Sequence, residues 1–336
     1  MLSIAEMVRD YGDPQGEARR CRQHCALFDF SFVYRLRVSG RKVIHVLENF
    51  QPRMLRDMSI GQIRYSVKAD VQGRVRSDLT LWRLAENVFE VMSGCEQDIV
   101  ELAALQDEGF NLQDLSETTA ILALQGPDTL AQLAAYIDVS ALRQLSYFHF
   151  IQVEICGISC LIGRLGYSGE AGFEVLLEHS QKDRLWALLA EKIAPAGFAA
   201  IDILRIEAGL FLFTNECRVA PSIAELGLSK LFEQRARSPQ IRLVAFAADS
   251  AKSSELILWQ PTSNTLQRPD RGEITITSAC FSPHFNAAIG LGFVIFDLVA
   301  DTVHDPMNEF LDIKIYSQPL YDPHKQRPRA AWQYHP

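Results

Sequence analysis

Three short stretches carry residues whose types and spacing could do chemistry. In Arg164-Leu-Gly-Tyr-Ser-Gly-Glu-Ala-Gly-Phe-Glu-Val175 the glycines Gly166, Gly169 and Gly172 are spaced by three. Glycine permits positive φ and close approach of another group to the backbone, so the stretch reads as a glycine-rich hairpin. Glu174 lies between Phe173 and Val175, and strand alternation sends it to the face opposite them. If that face is buried, its charge needs paired donors. A ring with an amidine-like N–H/NH2 edge, such as a pterin, presents two parallel donors to one carboxylate. In Gly73-Arg-Val-Arg-Ser-Asp-Leu-Thr-Leu81, residues Val75, Ser77, Leu79 and Leu81 share one strand face, and Arg76, Asp78 and Thr80 the other. Asp78 is either an exposed residue paired with Arg76 or a neighbour, or a carboxylate that orients an amine and carries protons. In Phe198-Ala-Ala-Ile-Asp-Ile-Leu-Arg-Ile-Glu-Ala-Gly209, Asp202 and Arg205 are neighbours on one helical face. They read as a structural ion pair or as part of a ligand mouth. Glu207, on the other side, then needs its own partner or an exposed position. No stretch is a nucleophile constellation: G-x-S-x-G, P-loop, dinucleotide and HExxH patterns are absent.

The elements that must position these carboxylates follow from periodicity. Residues 2–28 mix charged and apolar positions at helical spacing, 32–38 alternate as a strand, and 42–50 form an amphipathic helix. Residues 63–82 read as two strands joined by a turn at 70–73, followed by a strand at 87–92 and a helix at 97–106. A second series has a strand at 118–124, a helix opened by Gly126-Pro127 and running to about 137, and strands at 148–154, 159–165 and 173–177. Helices at 181–194 and 201–212 complete it. From residue 241 the segments are short, alternating and separated by Pro, Gly, Asn and Asp, as in an all-β unit, with a buried strand within 289–300.

With 336 residues the chain is too long for one ordinary core. A net charge of −8 gives no general attraction to phosphate backbones, so nucleic acid is not an expected partner. Seven cysteines, an odd number without a CxxC pair, read as reduced thiols in a cytoplasmic protein. No histidine cluster accompanies them, so no metal is expected. Glu6 and Asp10 interrupt any signal peptide, and no apolar run reaches the ~18 residues of a membrane span. No membrane partner is expected either.

Six motifs, in order, resemble those of the glycine cleavage T-protein (aminomethyltransferase) family: Leu27-Phe-Asp-Phe-Ser31, Leu124-Gln-Gly-Pro127, Gly166-Tyr-Ser-Gly-Glu-Ala-Gly-Phe-Glu174, Asp202-Ile-Leu-Arg-Ile-Glu-Ala-Gly209, the set Gly272–Ser278, Phe281-Ser-Pro283 and Ile289–Val294, and Pro319-Leu-Tyr-Asp-Pro323. The resemblance implies an α+β fold with two interlocked α+β subdomains, approximately 1–50 with 140–236, and 51–139. Together they form a folate-binding body, 1–236, followed by a C-terminal β-barrel, 237–336. It implies tetrahydrofolate as co-substrate, a lipoyl carrier protein as a partner, and aminomethyl transfer that releases ammonia and forms methylene-tetrahydrofolate. Asp78 takes the catalytic role at the reactive nitrogen, and Glu174 holds the pterin edge. Tyr65, Tyr167 and Arg205 join them as cofactor-binding residues. Ser77-Asp78 stands where the family has paired aspartates, and Ser93-Gly94 where it has an asparagine. Ile201 replaces an arginine that meets the glutamate tail of folate, leaving Arg205, Arg327 or Arg329 as substitutes. Two other functions are open on such a scaffold. One is a non-enzymatic folate-binding factor related to iron–sulfur-assembly proteins, although Cys217 lacks the flanking Lys-Gly and Gly-Gln-Glu of that group. The other is a folate-dependent demethylase.

Overall fold

The first helix has its start encoded locally. Asp13 accepts a hydrogen bond from the Gly16 amide at 2.8 Å, and Pro14 occupies the first turn, where its missing N–H costs nothing. The computed structural model describes residues 6–232, 238–248, 256–317 and 319–332. In chain order the body contains α1 (Pro14–Gln23), β1 (Ala26–Asp29), β2 (Tyr34–Ser39), α2 (Val43–Phe50), β3 (Ile63–Ala69), β4 (Val75–Ala85), β5 (Val88–Ser93), α3 (Glu96–Ala103), β6 (Asn111–Asp114) and β7 (Thr119–Gln125). It continues with α4 (Thr129–Leu133), α5 (Ser140–Gln144), β8 (Phe150–Ile155), β9 (Ile158–Gly163), β10 (Gly172–Glu178), α6 (Lys182–Ala190), α7 (Phe198–Glu207) and α8 (Phe213–Glu216). After it come β11 (Ile241–Ala248), β12 (Leu258–Trp259), β13 (Thr275–Ser282), β14 (Ala287–Ile295), β15 (Thr302–Val303) and β16 (Ile313–Tyr316).

Three antiparallel sheets result, in the orders β1-β7-β10-β9-β8, β3-β4-β5-β2-β6 and β12-β13-β14-β11-β16-β15. The chain enters the first sheet with β1, leaves to build the whole second sheet, and returns with β7. Hydrogen bonding therefore places β2 with β5 and β6, and β7 with β1 and β10. The expected grouping of residues 1–50 with 140–236 and of 51–139 by themselves does not match these pairings. The third sheet is all-β as expected. Its edge strands β12 and β15 do not pair among the described residues, so closure into a barrel is not among the observed pairings. The expected boundary at 236/237 lies outside the described residues.

One face of the first sheet packs Leu27, Leu122, Leu124, Phe173 and Val175 against Leu185 and Leu189 of α6. The other face, with Phe28, Ala123 and Leu176, meets α7, Trp82 and Met92 of the second sheet, and Ala245, Ile289 and Leu291 of the third. Every residue of α7 from Ala199 to Glu207 is buried, as a helix apolar on nearly all sides requires. It starts three residues before the expected 201 and ends at Glu207 rather than 212. The expected helix at 126–137 is only α4. The helical pattern read over 2–28 splits into α1 and β1, because a four-residue strand buried at three positions shows no alternation.

Trp82 locks the sheets together. Its ring is fully buried and lies 5.1 Å, centroid to centroid, from that of Phe150. A Cβ at Gly163 would stand 2.2 Å from Trp82 Cη2 and 2.8 Å from Leu165 Cδ2, so only glycine fits there. Gly163→Ala is expected to lower folding stability by roughly 1–3 kcal/mol through overpacking, read as a fall in Tm. An unchanged Tm would show that the ring yields freely.

Candidate functional site

Strand alternation turns both chemistry-bearing carboxylates toward the interface between the first two sheets. On β4, Asp78 shares its face with Thr80 and Trp82, and Trp82 Nε1 donates to Thr80 Oγ1 at 3.1 Å. Trp82 abuts Gly163, and Gly163 is the cross-strand partner of Glu174 on β10. Glu174 is flanked by Phe173 and Val175, which point into the opposite core, so its side chain faces the Ala123–Leu176 side.

Asp78 is half-buried and accepts a hydrogen bond from the Tyr65 hydroxyl on the neighbouring β3. Burial pushes its carboxyl up to about 7, the Tyr65 bond opposes this, and the nearby Asp98 adds to it. Tyr65 itself is held well above the usual phenol range, first by burial and then by the fields of Asp78 and Tyr167. Tyr167 donates to the Phe211 carbonyl at 2.6 Å and is raised by burial, with Asp78 among the charges acting on it. The structure thus gathers Asp78, Tyr65 and Tyr167. Glu174 is different: it is half-buried, has no hydrogen-bond partner among the described residues, and is raised to about 7 by burial alone. Tyr147 is its titratable neighbour, and the Glu174 charge helps to lift that phenol to about 12.

Beneath Asp78, the buried Asp98 of α3 accepts hydrogen bonds from Ser77 Oγ at 2.6 Å and Ser93 Oγ at 2.7 Å. Ser77 and Ser93, two of the departures from the family motifs, are therefore the donors that satisfy this carboxylate and tie β4 to β5. The sequence reading missed Asp98. The hint was a buried-face serine beside Asp78, which needs an acceptor.

Arg205 is a correction. It was expected at the cofactor, yet it is fully buried, with Nε on Asp202 Oδ1 at 2.6 Å, Nη1 on Glu216 Oε2 at 3.0 Å and Nη2 on Ser278 Oγ at 2.7 Å. Its donors are spent on clamping α7 to β13, and the ion-pair reading of Asp202–Arg205 holds. Ile201 lines an apolar cavity of about 210 Å³ with Phe28, Phe30, Phe32 and Phe198. Glu207 has found its partners, Arg22 Nε at 2.9 Å and Ser282 Oγ at 2.5 Å. Glu170 of the glycine motif is buried too. It accepts from Arg22 and Arg327 Nε, at 3.2 and 2.9 Å, and from the Tyr321 hydroxyl. This acid serves architecture, fastening the C-terminal segment to the glycine loop. No cluster of His, Cys, Asp or Glu able to hold a metal ion occurs among the described residues, and no helix there is long and apolar enough to cross a membrane.

The fold is that of a glycine cleavage T-protein: the structure of aminomethyltransferase T from Bartonella henselae superposes with a TM-score of 0.75 at 22% identity, covering 94% of this chain and 92% of that one. Residues 6–235 match the GCVT N-terminal domain family, and the chain belongs to that family. It is 27% identical over 307 residues to the aminomethyltransferase of Synechocystis, covering 86% of this chain and 82% of that one. To that of Chloroherpeton thalassium it is 32% identical over 233 residues, covering 66% and 64%.

Both raised carboxyls shape the pH dependence of folding. The folded state holds their protons up to about pH 7, whereas the ordinary values are 3.8 and 4.5. Their contribution is fully present below about pH 4 and is lost as pH rises through 7. Urea unfolding of Asp78→Asn and Glu174→Gln between pH 4 and 8 is expected to show a shallower decline of stability than the parent. An unchanged slope in both would contradict the raised values.

Proposed function

We propose that this chain is a tetrahydrofolate-dependent aminomethyltransferase. The observation that carries the reading is the half-buried, unpartnered Glu174, facing the same intersheet space as the Asp78–Tyr65 pair. A carboxylate in that position is complementary to the paired N–H donors of a pterin edge. Binding such donors would favour its ionised form and offset its loss of water. Bound tetrahydrofolate supplies the amine that accepts the one-carbon unit. Asp78, fixed by the Tyr65 hydroxyl and poised near neutral pH, holds or releases a proton at that amine. Tyr65 and Tyr167 wall the site, and orientation supplies most of the rate.

In this reading a lipoyl carrier protein presents the aminomethyl group, and neither nucleic acid nor a membrane takes part. The organisation is a folate-binding body to residue 236 and a C-terminal domain from 237, the latter closing as a barrel. The seven cysteines, none in a disulfide, support a cytoplasmic setting. Cys217 stands in the field of Asp78, but burial drives its thiol well above the usual range. It is a protonated neighbour rather than a nucleophile, which favours transfer over the iron–sulfur-assembly alternative.

Glu174→Gln is expected to weaken tetrahydrofolate binding about ten- to a hundredfold in calorimetry, the worth of one charge-assisted bond. Asp78→Asn is expected to bind nearly as the parent but to lose roughly 10²–10⁴-fold in turnover with an aminomethylated lipoyl carrier. Failure of the parent chain to bind tetrahydrofolate would remove the proposal.

A further inference from the structure

A second, smaller cleft lies between the glycine loop and the C-terminal segment. It holds about 50 Å³ and is lined by Gly166, Gly169, Leu210, Tyr321, Lys325 and Arg329, with Tyr147 and Asp322 at its edge. That is room for a small polar group with a few waters, not for a ring. Tyr147 connects it to the site already described, because its phenol feels both Glu174 and Arg329.

The charge in this cleft is unbalanced. Of the three cations on the C-terminal segment, Arg327 is committed to Glu170 at 2.9 Å. Asp322, the carboxylate lining the cleft, accepts from the Arg327 amide at 2.8 Å. Lys325 is half-buried, and its ammonium meets no acceptor among the described residues. Burial, and then the nearby Arg329 charge, lower its proton affinity. Arg329 makes no ion pair there either, and its guanidinium carbon lies 5.8 Å from the Tyr147 ring centroid. Two cations are thus held together in a chain of net charge −8. The backbone presents them at some cost: Asp322 and Lys325 adopt φ of 44° and 50°, unusual for residues other than glycine. An anion between the two cations would offset their repulsion and the Lys325 desolvation.

Elimination points to the same residues. Ile201, where the family motif carries arginine, is apolar and lies about 10 Å along α7 from Ala208, which borders the cleft. Arg205 is spent within the core, and Arg327 on Glu170. We propose that this cleft receives a carboxylate of the folate glutamate tail, recognised by Lys325 and Arg329. The proposal rests on the folate reading of the Glu174 site.

The test is calorimetry on the full chain with tetrahydrofolate, with tetrahydropteroate, which lacks the glutamate, and with inorganic phosphate. The parent is expected to bind tetrahydrofolate about ten- to a hundredfold tighter than tetrahydropteroate. The Lys325→Met/Arg329→Met double variant is expected to bind both with the parent's tetrahydropteroate affinity. Glu174→Gln is expected to weaken both ligands while keeping their ratio. Equal parental affinity for the two pterins, or a ratio that survives in the double variant, would overturn the tail site and leave the folate reading standing. Phosphate binding that disappears in the double variant, alongside tail-insensitive folate binding, would overturn it in favour of a free-anion site. Parental binding of neither pterin would sink both proposals.

Discussion

A carboxylate taken out of water must be met by donors, and this protein obeys that constraint almost throughout its interior. Glu90 is met by Arg35 and Arg37, Glu170 by Arg22, Arg327 and Tyr321, and Glu207 by Arg22 and Ser282. Glu216 is met by Arg205 and Thr277, and Asp98 by two serines. These pairings join elements distant in sequence: Arg22 of α1 reaches the glycine loop and α7, and Arg205 reaches the third sheet. Against that background the lone carboxylate of Glu174 marks a position the protein itself leaves incomplete. Asp78, with a single tyrosine donor, is intermediate. The contrast between satisfied and unsatisfied acids separates the working groups from the architectural ones.

Much of this was legible in the sequence because strand periodicity is short and strict. The alternation around Asp78 assigned its face correctly, and the Phe173-Glu174-Val175 sandwich did the same on β10. The turn at 70–73 and the strands on either side of it also emerged, since Asp70 and Gly73 carry recognisable turn chemistry. The failures have physical causes. Strand β6 is four mostly exposed residues, without an apolar rhythm. Sheet membership of β2 and β7 depends on pairings across long chain separations, which no local pattern encodes.

Site chemistry was read less evenly. Acids proved easier to notice than to sort: Glu170 and Glu174 sit four residues apart in one motif, and only the fold shows that the first is neutralised by Arg22 and the second by nothing. Arg205 misled because spacing reveals its Asp202 neighbour but not Glu216 or Ser278, which arrive from other elements. Asp98 was invisible for the same reason, since its serine donors lie on two strands that only the second sheet brings side by side.

The route of the chain through its sheets also has a temporal side. Ala26 pairs with Gln125 and Asp29 with Leu122, so the first sheet encloses the whole second sheet as an insertion between two of its neighbouring strands. During synthesis β1 has no partner until β7 has left the ribosome, whereas β2 to β6 can pair as they appear. Loop closure of that length is entropically costly and slow. The insertion folds first, and its completion brings the ends of the first sheet together. The intersheet space that holds Glu174 is then among the last parts of the molecule to form, and β1 remains an unpaired apolar edge until that moment.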